Sequence, residues 1–298
     1  MPPAAQALTY RPLVGILFMC LAHTLFPVMN GLAQLLTERY SPEQIVWART
    51  GSHLLFVLAL FAPKHGARIL ITNRPGLQIA RSVLMLVTTT LFFTGLAFLP
   101  LAKVAAISFA GPFFIVLLAW PMLGEPISGH RLAAVIAAFV GVLIVVRPGT
   151  ELFHWASLLI LGSAVTYAFE QIYTRRVAAF DRPATSVVYT PLVGTIVLSG
   201  IVAFNWTTPQ SWGDIALFLL LGVLGGLGHY CGAKSMTYAP ANLVAPFMYM
   251  QMVWSVIVGY LFKDTWPDWG TWLGSAIIIG AGLFIGIREA RGNNQLHT

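Results

Sequence analysis

The sequence predicts an all-α integral membrane protein of ten transmembrane helices, an inverted repeat of two five-helix halves. Three observations predict it. Apolar windows of membrane-crossing length fill the chain, basic residues gather in alternate breaks between them, and short motifs recur about 140 residues apart. Of the 298 residues 57% are hydrophobic and 9% charged, with a mean hydropathy of +0.78; soluble domains carry about 25% charged residues. A soluble globule of this size is excluded.

A bilayer core of about 30 Å needs roughly 20 apolar residues in a helix. The windows that qualify are 13–36, 43–62, 78–98, 101–123, 130–147, 155–174, 185–204, 214–236, 241–262 and 269–287. The first is longer than a signal-peptide core and lacks a small-residue cleavage site, so it is expected to be a permanent helix. The formal charge of +7 does not point to nucleic acid, because the basic residues form no stripe interleaved with exposed aromatics. They sit between windows, where the bilayer is the partner. Cys20 and Cys231 both lie inside windows, so neither a disulfide framework nor a metal spacing can be read. No metal or cofactor is expected.

With a cytoplasmic N-terminus, the inner side collects eleven basic residues: Arg11, Lys64, Arg68, Arg74, Arg81, Arg131, Arg175, Arg176, Arg182, Arg288 and Arg291. The outer side collects four: Arg39, Lys103, Arg147 and Lys263. This asymmetry satisfies the positive-inside rule with both termini cytoplasmic, as in a bacterial-type inner membrane.

The run Pro100-Leu-Ala-Lys-Val-Ala105 recurs as Pro240-Ala-Asn-Leu-Val-Ala245, and Phe139-Val-Gly141-Val-Leu-Ile144-Val-Val-Arg147 recurs as Gly280-Ala-Gly282-Leu-Phe-Ile285-Gly-Ile-Arg288. The common offset equals five windows. Residues 1–150 and 151–298 are therefore expected to be two copies, the second ending in a short cytoplasmic tail. An odd number of crossings inverts the second copy. Inverted repeats recur in secondary transporters, because two similar halves can exchange shapes and open a central site to either face.

These residues resemble the drug/metabolite transporter superfamily, in its EamA-type ten-helix members. The resemblance is carried by Ser41-Pro42 with Trp47-Ala-Arg49, Leu99-Pro100-Leu-Ala-Lys103-Val-Ala-Ala, Gly111-Pro112-Phe113, Leu123-Gly124-Glu125-Pro126 and Gly141-Val-Leu-Ile144. In the second half Tyr167, Tyr173-Thr-Arg175-Arg176 and Tyr238-Ala-Pro240-Ala-Asn242 match. It implies a basket of helices around a central cavity, with the fifth and tenth helices outside. It also implies relatives that export amino acids and metabolites, and some that take them up. Ala22-His23 and Asn30 depart from the family pattern at positions that would face the cavity.

A polar group at membrane depth is costly and faces a cavity or a partner. In the first helix His23, Pro27, Asn30 and Gln34 share one face, which either lines water or bonds neighbouring helices. Pro27 is a candidate kink. Glu170, the leading single residue, shares a face with Ser163, Tyr167 and Thr174, with Gln171 beside it. A proton-coupling carboxylate, a binder of a substrate ammonium and a gate partner are its functional readings. An ion pair with Lys234 or His229 and hydration near the cytoplasmic end of the helix are the structural ones. Arg49 is expected to snorkel outward, to bond loop carbonyls, or to shape an outer gate with Glu43 or Glu38.

Gly222, Gly225, Gly226, Gly228 and Gly232 are expected to let helices approach, with Gly225 and Gly226 as a possible hinge. Thr88, His229, Tyr230, Tyr249, Gln251 and Trp254 complete the candidate cavity lining, where rings would stack on a substrate or simply pack. Trp155, Trp206, Trp212, Trp266, Trp269 and Trp272 fit interfacial belts.

An embedded enzyme would need a nucleophile with a base or clustered metal ligands, and a channel would need a filter motif; neither pattern is present. No ATP-binding motif appears. The expected activity is therefore secondary-active or facilitative export of small metabolites by alternating access, neutral and aromatic amino acids first, with a proton as candidate coupling ion. The alternatives are uptake of a larger cationic or nucleoside-like metabolite, or drug and cation efflux.

Overall fold

The computed structural model describes residues 11–124, 127–181 and 183–294. Glu125-Pro126, Arg182 and the side chains of Lys64, Arg68, Asn242 and Arg291 lie outside the described residues. Every regular element among the described residues is helical: α1 (Pro12–Leu36), α2 (Pro42–His65), α3 (Pro75–Leu96), α4 (Leu101–Ser108), α5 (Gly111–Leu123), α6 (Gly129–Val146), α7 (Ala156–Val177), α8 (Pro183–Val202), α9 (Trp212–Tyr238), α10 (Ala241–Val244), α11 (Met250–Lys263) and α12 (Trp269–Asn294). Short 3-10 turns cover Gly66–Leu70 and Ala245–Tyr249.

Proline opens α1, α2, α3 and α8, where its missing N–H would have no intrahelical partner anyway. Gly124, in the left-handed region at φ 71°, closes α5.

Seven stretches are long and apolar enough to cross a membrane: Pro12–Leu36, Pro75–Leu96, Leu101–Leu123, Gly129–Val146, Thr185–Val202, Trp212–Tyr238 and Trp269–Arg288. Of the ten expected windows, the other three are helical with a reason for falling short. α2 carries Arg49 and His53, α7 carries Glu170 and two terminal arginines, and the ninth window is interrupted at Ala245–Tyr249. The exterior is apolar: Leu13, Leu17, Ile196 and Leu261 are all exposed, as a lipid-facing surface requires. The six candidate belt tryptophans are exposed near helix ends.

The interior is organised by pairs. α1 packs along α9, α3 along α7, and α6 along α12, while α2 lies against both α8 and α9. α4 and α11 cross, and the rings of Phe109 and Tyr249 meet there with centroids 5.3 Å apart. Helices in lipid gain little from apolar burial alone, so small residues that admit close approach decide where they cross. At the α6–α12 crossing a Cβ on Gly141 would lie 2.8 Å from Ile278 Cγ1 and 2.9 Å from the Gly274 carbonyl oxygen. Only glycine fits there.

Gly141→Val is therefore expected to force α6 and α12 apart at a cost of about 1–3 kcal/mol. Gly286→Ala, which meets open space, is expected to be neutral. Thermal unfolding of the purified chain in detergent checks both.

Candidate functional site

Two buried guanidiniums mark the interior, and their surroundings differ. Arg81 was expected to flank the membrane on the inner side. The structure instead buries it among α3, α7 and α8, because its window begins a turn earlier and carries it inward.

Its Nη1 donates to Glu170 Oε1 at 2.9 Å, and its Nη2 donates to the Ser186 carbonyl and to Thr190 Oγ1, both at 2.5 Å. Thr174 Oγ1 donates to the same Glu170 oxygen at 2.7 Å. Both members of the ion pair are about 93% buried.

Glu170 thus has the structural partner its sequence reading lacked, with Arg81 in place of Lys234 or His229. Lys234 lies over the half-exposed Tyr230 ring instead, and His229 stacks on His53 with centroids 5.7 Å apart.

The second guanidinium is Arg49, on α2. It neither snorkels outward nor pairs with Glu43 or Glu38. Glu38 is taken by Lys263, and Arg49 is 7% exposed. Its Nε donates to Met29 Sδ at 3.4 Å, and its guanidinium carbon stands 5.5 Å from the centre of the Phe93 ring.

The adjoining stretch of α9 is where the glycines matter. A Cβ on Gly225 would sit 3.6 Å from Arg49 Nη2, and one on Gly226 would strike the Phe56 ring at 2.5 Å. At Gly222 an added Cβ would collide with Ser52 and the His53 backbone. α9 runs unbroken through Gly225 and Gly226; close packing against Met29 of α1 and Arg49 of α2 accounts for the first, and against Phe56 and His53 of α2 for the second. Pro27 likewise lies inside an unbroken α1.

The remaining candidates divide. His23 Nδ1 meets Gln251 Oε1 at 2.9 Å and ties α1 to α11. Gln34 spends its amide N–H groups on the carbonyls of Leu96 and Leu99, at 3.1 and 2.8 Å. Thr88 donates to Thr166 Oγ1 at 2.8 Å. These three serve helix joining.

Tyr249 packs its hydroxyl against Gly282, and Tyr167 lies over Gly111, where a Cβ would be 3.0 Å away; Gln171 is half-buried on the same helix as Tyr167. Asn30 is buried with no hydrogen-bond partner among the described residues. Trp254 is half-buried on α11. His53, Met29 and Phe93 were missed. The Arg49–His53 spacing of four residues on one helical face was the available signal.

The EamA-like transporter family model matches twice, over residues 13–147 and 154–287. The chain belongs to that family. It is 31% identical over 284 residues to a riboflavin transporter of Rhizobium johnstonii, covering 94% of this chain and 93% of the relative. A riboflavin transporter of Vibrio cholerae is 27% identical over 94% of this chain and 95% of its own. An S-adenosylmethionine uptake transporter of Rickettsia bellii is 31% identical over 77% of this chain and 78% of its own. One solved structure aligns with a TM-score of 0.62 at 17% identity, over 94% of this chain and 97% of its own. That likeness concerns the fold alone. The homologous proteins are transporters, and the family is one of carriers rather than enzymes.

Removing one partner of a buried ion pair strands the other charge and costs about 3–5 kcal/mol, whereas replacing both by apolar groups is often neutral. Glu170→Gln and Arg81→Met are each expected to destabilise strongly, and Arg81→Met with Glu170→Leu to recover most of the loss. Thermal unfolding of the three variants in detergent measures this.

Outside the spanning helices, Asp181 accepts from Thr72 Oγ1, the Asn73 backbone N–H and Gln78 Nε2 at 2.5, 2.8 and 2.9 Å. Partial burial works to raise its pKa, but these hydrogen bonds outweigh it and hold the carboxyl below its usual value. Its stabilising contribution is present above the ordinary carboxylate range and is lost as pH falls through the depressed value. Asp181→Asn is expected to lower the melting temperature at pH 7 and to flatten its decline towards acid. Melting curves between neutral and acidic pH test the point.

Proposed function

We propose that the chain is a carrier that takes up a flat heteroaromatic metabolite by alternating access, riboflavin first and S-adenosylmethionine second. The observation that carries this reading is the near full-length similarity to a riboflavin transporter, over 94% of this chain. It favours the nucleoside-like uptake alternative over amino-acid export.

The proposed architecture is ten crossings in two five-helix halves of opposite orientation, with both termini cytoplasmic. Two matches to one family model, starting 141 residues apart, support the duplication. The packing supports it too. Exchanging α1, α2, α3, α4–α5 and α6 for α7, α8, α9, α10–α11 and α12 turns the α1–α9 contact into α7–α3 and the α5–α7 contact into α11–α1, and leaves α2–α8 and α6–α12 as they are. The interruptions after Ser108 and around Ala245–Tyr249 fall at matching places in the fourth and ninth crossings. Interrupted helices meeting at mid-membrane are where secondary carriers of this kind hold substrate. Asn30, Tyr167, Gln171 and Trp254 are the proposed lining around that crossing.

Glu170 is engaged by Arg81 and Thr174, so transport is proposed to run down the substrate gradient without proton uptake at this carboxylate. Liposomes containing the purified chain should show saturable riboflavin counterflow, competed by S-adenosylmethionine and insensitive to an imposed pH gradient. Saturable tryptophan or phenylalanine counterflow without riboflavin movement would restore the amino-acid reading.

A further inference from the structure

Arg49 and Arg81 lie in three-helix groups that the half-exchange relates, α1–α2–α9 and α3–α7–α8. Arg81 is met by a carboxylate, a carbonyl and a hydroxyl. The protein thus fully satisfies a guanidinium whose role is to hold helices together.

Arg49, equally buried, is given a thioether at Nε and an aromatic face. Its two terminal nitrogens meet no acceptor among the described residues. Charged donors left unspent in a buried site forfeit hydrogen bonds that a bound ligand can supply.

The surroundings present further donors and no acid. His53 is one turn along the same face of α2, is 9% exposed, and has an Nε2 with no partner. His229 of α9 stacks on it, and Phe26 closes edge-on to His229 at 5.1 Å. Met29 and Phe93 fix the plane of the guanidinium from the Nε side. Gly225 of α9 puts no side chain beside the guanidinium, where a Cβ would lie 3.2 Å from Met29 Sδ and 3.6 Å from Arg49 Nη2. A planar fork held in one orientation matches a planar group with two adjacent acceptors.

Resting on the carrier reading above, we propose that Arg49, with His53 beside it, is the substrate anchor and grips a two-acceptor edge. That edge is either a carboxylate or the nitrogen–carbonyl edge of a pyrimidinedione ring. S-adenosylmethionine carries the first and riboflavin the second, and the partly buried Phe26 is the nearby ring against which the rest of the ring system would lie.

The test compares each parent compound with an analogue lacking the edge, on the purified full-length wild type. The pairs are riboflavin with 1-deazariboflavin and S-adenosylmethionine with its decarboxylated form. Binding is read by flavin fluorescence quenching or by calorimetry. The analogue of the accepted compound is expected to bind about ten- to a hundredfold more weakly. Arg49→Met should bind parent and analogue alike. Loss confined to the flavin pair assigns the ring edge, and loss confined to the adenosyl pair assigns the carboxylate.

Equal binding of parent and analogue by the wild type overturns the anchor while leaving the carrier reading intact. An undiminished preference in Arg49→Met does the same. A wild type that binds neither parent overturns the substrate reading and the anchor with it.

Discussion

Charge inside hydrocarbon is the constraint on which this structure depends. An unsatisfied ion at membrane depth is expensive enough that the surrounding helices must be arranged to meet it. The Arg81–Glu170 pair does this for α3, α7 and α8, drawing in Ser186 and Thr190 from α8 and Thr174 from α7. Three helices are thereby pinned at one depth. The Asp181 cluster ties the end of the same group to the loop before α3. Polar atoms that would each be a liability become a joint.

Elsewhere close backbone approach takes the place of charge. Gly141 at the α6–α12 crossing and Gly222 and Gly226 between α9 and α2 leave no room for a Cβ. Such crossings stabilise through contact area and dispersion rather than exclusion of water, because lipid tails are as apolar as the side chains they would replace. The α9 glycines also thin the wall beside Arg49, so packing and site geometry share a cause. The α3–α7–α8 group around Arg81 is cross-linked by an ion pair, while the α1–α2–α9 group leaves the terminal nitrogens of Arg49 without an acceptor among the described residues.

Much of this was legible in the chain. Each expected window is helical, with proline starts and a glycine stop where the local chemistry puts them, because apolar length and backbone preference are properties of contiguous residues. The recurrence of Pro100-Leu-Ala-Lys at Pro240 foreshadowed the matched interruptions near Phe109 and Tyr249. The site was less legible. Glu170 stood out as an intramembrane acid, but its partner lies 89 residues earlier, at a position that reads equally well as a membrane flank. The Arg49–His53 spacing places both residues on one face of α2, but what packs against that face, His229 and Met29, comes from other helices.

The sequence by itself determined that this chain lives in lipid, where its helices run, and which short motifs recur along it, since length, hydropathy and repetition need no knowledge of neighbours. Only the tertiary structure decided which polar residues are satisfied and which are not. Gln34, Thr88 and Glu170 spend their hydrogen-bonding capacity on partners across the fold, whereas the terminal nitrogens of Arg49 and the amide of Asn30 meet none among the described residues. Satisfaction is a relation between residues distant in the chain, and folding alone brings those residues together.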